Sequence, residues 1–343
     1  EEQRGKVAKL IGARAEQIVF TASGAEANNL AIKGVAFAGQ KKGNHIIISA
    51  IEHHSVLNTA RFFERMDVEV TFLPVNEHGL VDPERLREAI RPETILVSIM
   101  HANNEIGTIE PISDLSAICR EKEVIFHTDA VATVGNIPVD VNELGVDLLS
   151  LSGASFGAPK GVGALYFRPK MRLMPLIHGG IQENGRRGGT ENIPAIVGLG
   201  KAAELAAEEL THKIDHVRKL RDLLVEGVHE RIEQTRYTGH PDKRLPGHAS
   251  FCIAAIEGEA LLFMLNQGGI YVNTGSACAS KALKTSPVLV AIGVPPDLAQ
   301  GSIVFTLNNS NKVEEIEYVL ERLPIAVERL RSLSPIWREK GAA

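Results

Sequence analysis

Residues 149–167 read LSLSGASFGAPKGVGALYF. An apolar run enters a Gly/Ser-rich turn, passes through Pro159-Lys160-Gly161 and resumes as a second short apolar run. That is strand, turn, strand, the layout of an active-site corner. Yet the corner is built of Ser, Gly and Ala, with no evident catalyst.

Working outward from this corner, EQIVFT, HIIIS, VEVTFLPV, TILVSIMH, VIFHTD, DLLSLS and GALYF read as seven strands between residues 16 and 167. AEANNLAIKGVAFAG, DPERLREAI and ISDLSAICREK lie between them with helical spacing. Such alternation predicts an α/β domain with a mostly parallel central sheet. From Ile193 to Ile232 a helical period persists well beyond one ordinary helix, as one long helix or a helix pair. After it come HASFCIA, EALLFMLNQ, SPVLVAIG, SIVFTLN and VEEIEYVLERLPIAVERLRSL, a smaller α+β domain. The expected division is residues 1–205 and 206–343. EEQRGKVAKLIGA is helix-periodic from its first residue, as if the chain began inside a helix.

At 343 residues and 44% hydrophobic, the chain has room for a large core plus a second domain. Its 37 basic and 42 acidic residues are interspersed, for a net charge of −5, so there is no basic footprint for nucleic acid or an anionic membrane. The longest apolar runs are strand-sized and no secretory signal opens the chain. Three cysteines without C-x-x-C spacing fit a reducing cytoplasm and argue against a zinc ribbon.

Four polar clusters end strands of the first domain. In IVFTASGAEANNLAI a Ser23-Gly24 turn opens a helix at Ala25-Glu26, either a plain turn or a phosphate site on the helix dipole. Asp129 ends VIFHTD, either as a helix cap or as a carboxylate holding a pyridinium nitrogen protonated. SAIEHHSVLN and MHANNEIGTIEP bring His53, His54, Asn103 and Asn104 to strand ends in the same way. Several such clusters at one sheet edge point to a binding site. Cys252 in HASFCIA reads as a core residue, whereas Cys278 in YVNTGSACASKAL sits in a small-residue loop, as an accessible nucleophile would.

The order of ANNLAIKG, EHHSVLN, HANNEIGTIEP, HTDAV, DLLSLS, PKGVGALY, GGIQENGRRGGTENIPAIVGLGKA and NTGSACASKAL across nearly the full length resembles the cysteine desulfurases of the NifS/IscS type. These belong to the class V aminotransferase-like, fold-type I pyridoxal-phosphate enzymes. The resemblance implies that fold, a homodimer, and a further N-terminal segment of a few dozen residues. It also implies that His53 stacks on the cofactor ring, that Asn104 and Asp129 contact its substituents and nitrogen, and that Ser152 binds its phosphate. Thr190 would reach that phosphate across a dimer interface. Cys278 would take sulfur from substrate cysteine, leaving alanine and a protein persulfide, and pass it to an acceptor such as an iron–sulfur scaffold.

The corner departs from this family. Ala154 stands where a histidine is expected and Ser155 where the Schiff-base lysine is expected. A hydroxyl cannot form an imine, so covalent anchorage and the proton transfer of that lysine are lost. Ala25 replaces a phosphate-binding threonine, Ala132 a glutamine, and Val304 the arginine that grips the substrate carboxylate; Asn308 stands at a usual glycine. Each lost contact weakens ligand binding by about 1–3 kcal/mol. The favoured expectation is a desulfurase-like protein with lost or strongly reduced activity, its pyridoxal phosphate non-covalent or absent. The alternatives are an active enzyme using another lysine, Lys160 in a slipped register among them, and a non-catalytic dimeric scaffold.

Overall fold

The computed structural model describes residues 1–275, 285–335 and 337. They form two compact units, residues 1–75, 80–103 and 109–210 in the first and 76–79, 104–108 and 211–343 in the second.

The first unit runs α1 (Glu2–Leu10), β1 (Ile18–Thr21), α2 (Gly24–Gly39), β2 (His45–Ser49), α3 (His54–Glu64), β3 (Glu69–Leu73), α4 (Pro83–Ala89) and β4 (Thr94–Ser98). It continues with α5 (Ile112–Glu121), β5 (Ile125–Asp129), α6 (Val141–Leu144), β6 (Leu148–Ser152), β7 (Gly163–Phe167) and the start of α7 (Ile193–Arg231). All seven expected strands form, in the order β1-β7-β6-β5-β4-β2-β3. Only β7 runs antiparallel to its neighbours β1 and β6, so the other six strands share one direction. β2 and β4 are buried along their whole length, which is why HIIIS and TILVS carry no polar alternation. Apolar cores lie on both faces, one around Phe126, Leu149, Leu151 and Leu199, the other around Leu30, Ile46, Ile48 and Phe63.

The sequence reading missed α3. Its Val56, Leu57, Ala60 and Phe63 form a buried stripe at helical spacing, started by a His53 cap whose side chain accepts from the Ser55 N–H. The open choice between one helix and a pair resolves as one: α7 is a single 39-residue helix. Its Ala-, Leu- and Glu-rich middle has high helix propensity and no Gly or Pro to break it near His212.

The second unit holds the remainder of α7, then β8 (Thr235–Tyr237), β9 (His248–Ile253), α8 (Gly258–Gln267), α9 (Pro287–Ala291), α10 (Pro296–Ala299), β10 (Ser302–Thr306) and α11 (Val313–Leu333). Its sheet is antiparallel, β10-β9-β8. Phe251, Ile253 and Ile303 pack with Leu261 and Leu265 of α8 and Leu320 and Leu323 of α11. Among the described residues no helix is long and apolar enough to cross a membrane.

Candidate active site

Because six strands of the first unit run the same way, their C-terminal ends meet at one edge, where open α/β sheets place ligands. Ser23 follows β1, Glu52 and His53 follow β2, His101 follows β4, and Asp129 and Ser152 end β5 and β6. Two glycines let the backbones close in there. A Cβ on Gly24 would sit 2.5 Å from Val131 Cγ2 and 3.3 Å from Ser152 Cβ. One on Gly163 would meet the Leu151 carbonyl oxygen and the Ser23 carbonyl carbon at 2.7 Å. The start of α2, the turn after Asp129 and the end of β6 therefore converge.

Asp129 is 4% exposed. Its Oδ1 accepts from the Val131 N–H at 2.9 Å and its Oδ2 from the Asn28 amide at 2.6 Å. Burial raises its pKa above the ordinary carboxylate value, opposed by those two donors and by the charge of His53. Each oxygen keeps acceptor capacity for a further donor. His53 is exposed, and its Nδ1 lies 2.7 Å from Ser55 Oγ.

Glu52 and Glu110 are also buried in this unit. Glu52 accepts from Ser49 Oγ at 2.6 Å and from the Met100 N–H at 2.8 Å, both on Oε1. Its Oε2 has no hydrogen-bond partner among the described residues, and neither has Glu110 Oε1. Desolvation pushes both pKa values up to about 8, with Asp129 adding to the shift at Glu52. At neutral pH both are carboxylic acids. His101 is pushed down to about 4 and His127 to about 3 by burial, so both rings are neutral. His127 sits between Ser98 and Ser150, with each ring nitrogen within 2.9 Å of a hydroxyl, and its role is structural.

At the corner, Ser155 lies on a single 3₁₀ turn, Gly153–Phe156, directly after β6. Its Oγ donates to the Ser152 carbonyl at 2.7 Å. Ala154 beside it is exposed. Lys160 lies beyond the left-handed Gly157 and is exposed. β6 pairs with β7 residue by residue from Leu148–Phe167 to Ser152–Gly163, so both limbs of the corner are fixed in register. Ala25, exposed in the first turn of α2, and Ala132, in the turn after Asp129, present only methyl groups.

The structure brings His53, Asp129, Ser152, Ser155, Ala25 and Ala132 to one edge. Thr190 lines a cleft of about 180 Å³ with Thr21, Ala22, Glu183 and Arg187 but none of those six, and Arg187 pairs with Glu26 in the first turn of α2 at 3.0 Å. In the second unit Asn104 is exposed, with its carbonyl accepting from His248 Nε2 at 3.0 Å. Val304 is buried in β10 opposite Ser250 and exchanges backbone hydrogen bonds with Asn273. Asn308 is exposed beyond β10. Cys278 lies outside the described residues. Sequence reasoning missed Asn28, Ser55, Glu52 and Glu110. The polar pair in EANN and the acid before His53 were visible, but nothing in the order of residues shows that these side chains are buried.

Residues 1–319 match the aminotransferase class-V family. The chain belongs to the class-V aminotransferases. Among proteins of this kind, cysteine desulfurase IscS of Dictyoglomus turgidum is 52% identical over 339 residues, 99% of this chain and 86% of that protein. Cysteine desulfurase IscS of Methanosarcina thermophila is 51% identical over 333 residues, 97% of this chain and 82% of that protein. A solved NifS-like protein superposes with a TM-score of 0.89 at 38% identity, covering 95% of this chain and 87% of that one. The architecture is that of the fold-type I pyridoxal-phosphate-dependent transferases, and pyridoxal phosphate is the cofactor expected of this class-V chain.

The first unit holds residues whose chemistry fits that group. A buried carboxylate with spare acceptor capacity, an exposed imidazole, and the start of a 16-residue helix beside Ser152, where Gly24 leaves no space for a Cβ, suit a pyridinium, an aromatic ring and a phosphate in turn. The corner supplies no amine at residue 155.

Proposed function

We propose that this chain is a desulfurase-type protein of sulfur transfer and iron–sulfur cluster assembly that binds pyridoxal phosphate non-covalently and whose conversion of cysteine to alanine is lost or strongly reduced. The observation that carries this reading is Ser155: it occupies the turn after β6, its hydroxyl is committed to the Ser152 carbonyl, and the next lysine along the corner, Lys160, is exposed beyond Gly157.

In this reading His53 packs against the cofactor ring, Asp129 accepts from its ring nitrogen, Asn104 contacts its substituents and Ser152 holds its phosphate. Thr190 serves the phosphate of a second copy across a homodimer interface. Bound pyridoxal phosphate supplies an electron sink for bonds at the substrate α-carbon. The residues that would feed that sink are reduced: Ser155 provides no amine to move a proton, and Val304 leaves a substrate carboxylate without a cation. Cys278 remains as the thiol that receives sulfur and passes it to a scaffold or another acceptor.

The test is an absorbance spectrum of the protein after incubation with pyridoxal phosphate and desalting, beside the double variant Ala154→His plus Ser155→Lys. A colourless parent and a yellow variant are expected, with no alanine released from cysteine by the parent. A parent that stays yellow, with alanine release that depends on pyridoxal phosphate, overturns the proposal in favour of an active desulfurase using another lysine.

A further inference from the structure

Asn28 is 1% exposed in α2 and sends its amide nitrogen to two acceptors, Asp129 Oδ2 at 2.6 Å and Ser55 Oγ at 2.8 Å. The same serine touches His53 twice. Its hydroxyl lies 2.7 Å from Nδ1, and its backbone N–H donates to Nδ1 at 3.1 Å. A polar chain thus connects the two groups that the proposed function sets against the cofactor, and neither Asn28 nor Ser55 is assigned a role there.

The directions of these bonds follow from their chemistry. The Asn28 amide nitrogen faces Asp129 Oδ2, so its NH₂ group donates there, which leaves Asn28 Oδ1 pointing elsewhere. That oxygen has no hydrogen-bond partner among the described residues, so the orientation is set by the donors. With one N–H going to Asp129 and the other to Ser55 Oγ, the serine's own proton is free for His53. The backbone N–H of Ser55 cannot reverse. It requires a lone pair at Nδ1, and the hydroxyl proton adds to the same demand.

We propose that Asn28 and Ser55 are positioning residues: Asn28 ties Asp129 to Ser55, and Ser55 holds His53 with Nδ1 as acceptor, so that the neutral ring carries its proton on Nε2 alone. His53 then exchanges protons with a ligand through Nε2 only, and the ring is held at Nδ1 while its exposed face stays open. The use of this arrangement toward a cofactor rests on the proposed function; the tautomer is a property of the free chain.

The experiment separates the two. Long-range proton–nitrogen spectra of the full chain labelled with ¹⁵N-histidine, without ligand, report the tautomer of each ring, with His53→Gln assigning the His53 signals. The parent is expected to show a pyridine-type Nδ1 and a pyrrole-type Nε2 at His53. Ser55→Ala removes the hydroxyl donor and leaves the backbone N–H, so Nδ1 should move part of the way toward the value of an unbonded imidazole; Asn28→Ala, which acts only through Ser55, should produce a smaller shift, and Ser55→Thr, which keeps the hydroxyl, should preserve the parent spectrum. A His53 protonated on Nδ1 in the parent, or spectra unchanged in Ser55→Ala, overturns the inference. Should Asn28→Ala fail to fold, the Ser55→Ala and Ser55→Thr pair decides it. In parallel, equilibrium titration with pyridoxal phosphate should show about tenfold weaker binding in Asn28→Ala, because Asp129 loses a hydrogen-bond donor. A parent that takes up no pyridoxal phosphate overturns the functional reading and leaves the tautomer result to stand or fall by the spectra.

Discussion

Arg4 and Glu183 meet through both guanidinium ends, Nη1 to Oε2 at 2.7 Å and Nη2 to Oε1 at 2.8 Å, although 179 residues separate them in the chain. Glu183 Oε2 also accepts the Phe20 N–H at 2.8 Å, and Arg4 donates to the Ile18 carbonyl. The pair pins the segment carrying Thr190 to α1 and β1, and does so with Glu183 and Asn184 both in the left-handed region at φ 48° and 54°. Such backbone persists only where its surroundings hold it. Glu183→Ala should destabilise the protein by about 3 kcal/mol, by taking its buried carboxylate from a largely buried guanidinium and leaving the Phe20 amide unpaired. Urea unfolding midpoints compared with the parent check this; a change under about 0.5 kcal/mol would show that the segment is held by other contacts.

The corner makes a separate prediction. Since Lys160 is exposed and forms no part of the Asp129 group, Lys160→Ala should leave stability within about 0.5 kcal/mol of the parent and cofactor retention unchanged. A marked loss of equilibrium pyridoxal-phosphate binding in this single variant would revive the slipped register.

Gly163 enters β7 with backbone atoms 2.7 Å from where its Cβ would be. Backbone of β6 and of the turn before α2 has little room to give, so Gly163→Ala should cost about 1–3 kcal/mol. It should also loosen the start of α2 against Ser152, read as faster amide exchange at Gly24 to Glu26. Unchanged exchange there would separate the strand from the site.

Acidity gives a fourth. Glu52 and Glu110 have folded pKa values near 8 against an ordinary 4.5. Their folded-state pKa values are raised, so their contribution to stability is complete below pH 4.5 and is lost as pH rises toward 8, at about 1.4 kcal/mol per pH unit for each group. Above pH 8 the slope from these two ends. Replacing both with glutamine should flatten this part of the profile. Parallel stability curves for parent and double variant between pH 5 and 8 would refute the assignment.

Thiol chemistry supplies the last. Cys119 and Cys252 are fully buried, and burial pushes both thiols up, Cys252 to about 12. Neither should react with a disulfide reagent until the protein unfolds. Any thiol that reacts in the native chain should therefore be removed by Cys278→Ala. Two or more reactive thiols in the native protein would contradict the burial.

The seven strands, the long helix and the α+β character of the C-terminal part were legible because buried strands must be apolar runs and amphipathic helices must repeat with their period. α3 escaped because its polar opening, HHSVLN, drew attention as a cluster at a strand end while its buried stripe went uncounted. β8, at three residues, is too short to carry a pattern. The strand ends also placed His53 and Asp129 at a common edge, because strand ends in a parallel sheet share an edge by topology, whereas Ser152 and Ser155 entered only through the family resemblance.

What the sequence alone determined, then, was composition at fixed places: a serine and not a lysine after β6, a carboxylate ending β5, a histidine following β2. Only the tertiary structure decided which polar side chains between them were out of water. Asn28 and Glu52 resemble any surface Asn and Glu in the chain; burial by sheet and helix from distant segments leaves one as a link between Asp129 and Ser55 and the other as a neutral acid. Desolvation depends on what surrounds a group in space, and for these residues the surroundings come from segments far away in sequence.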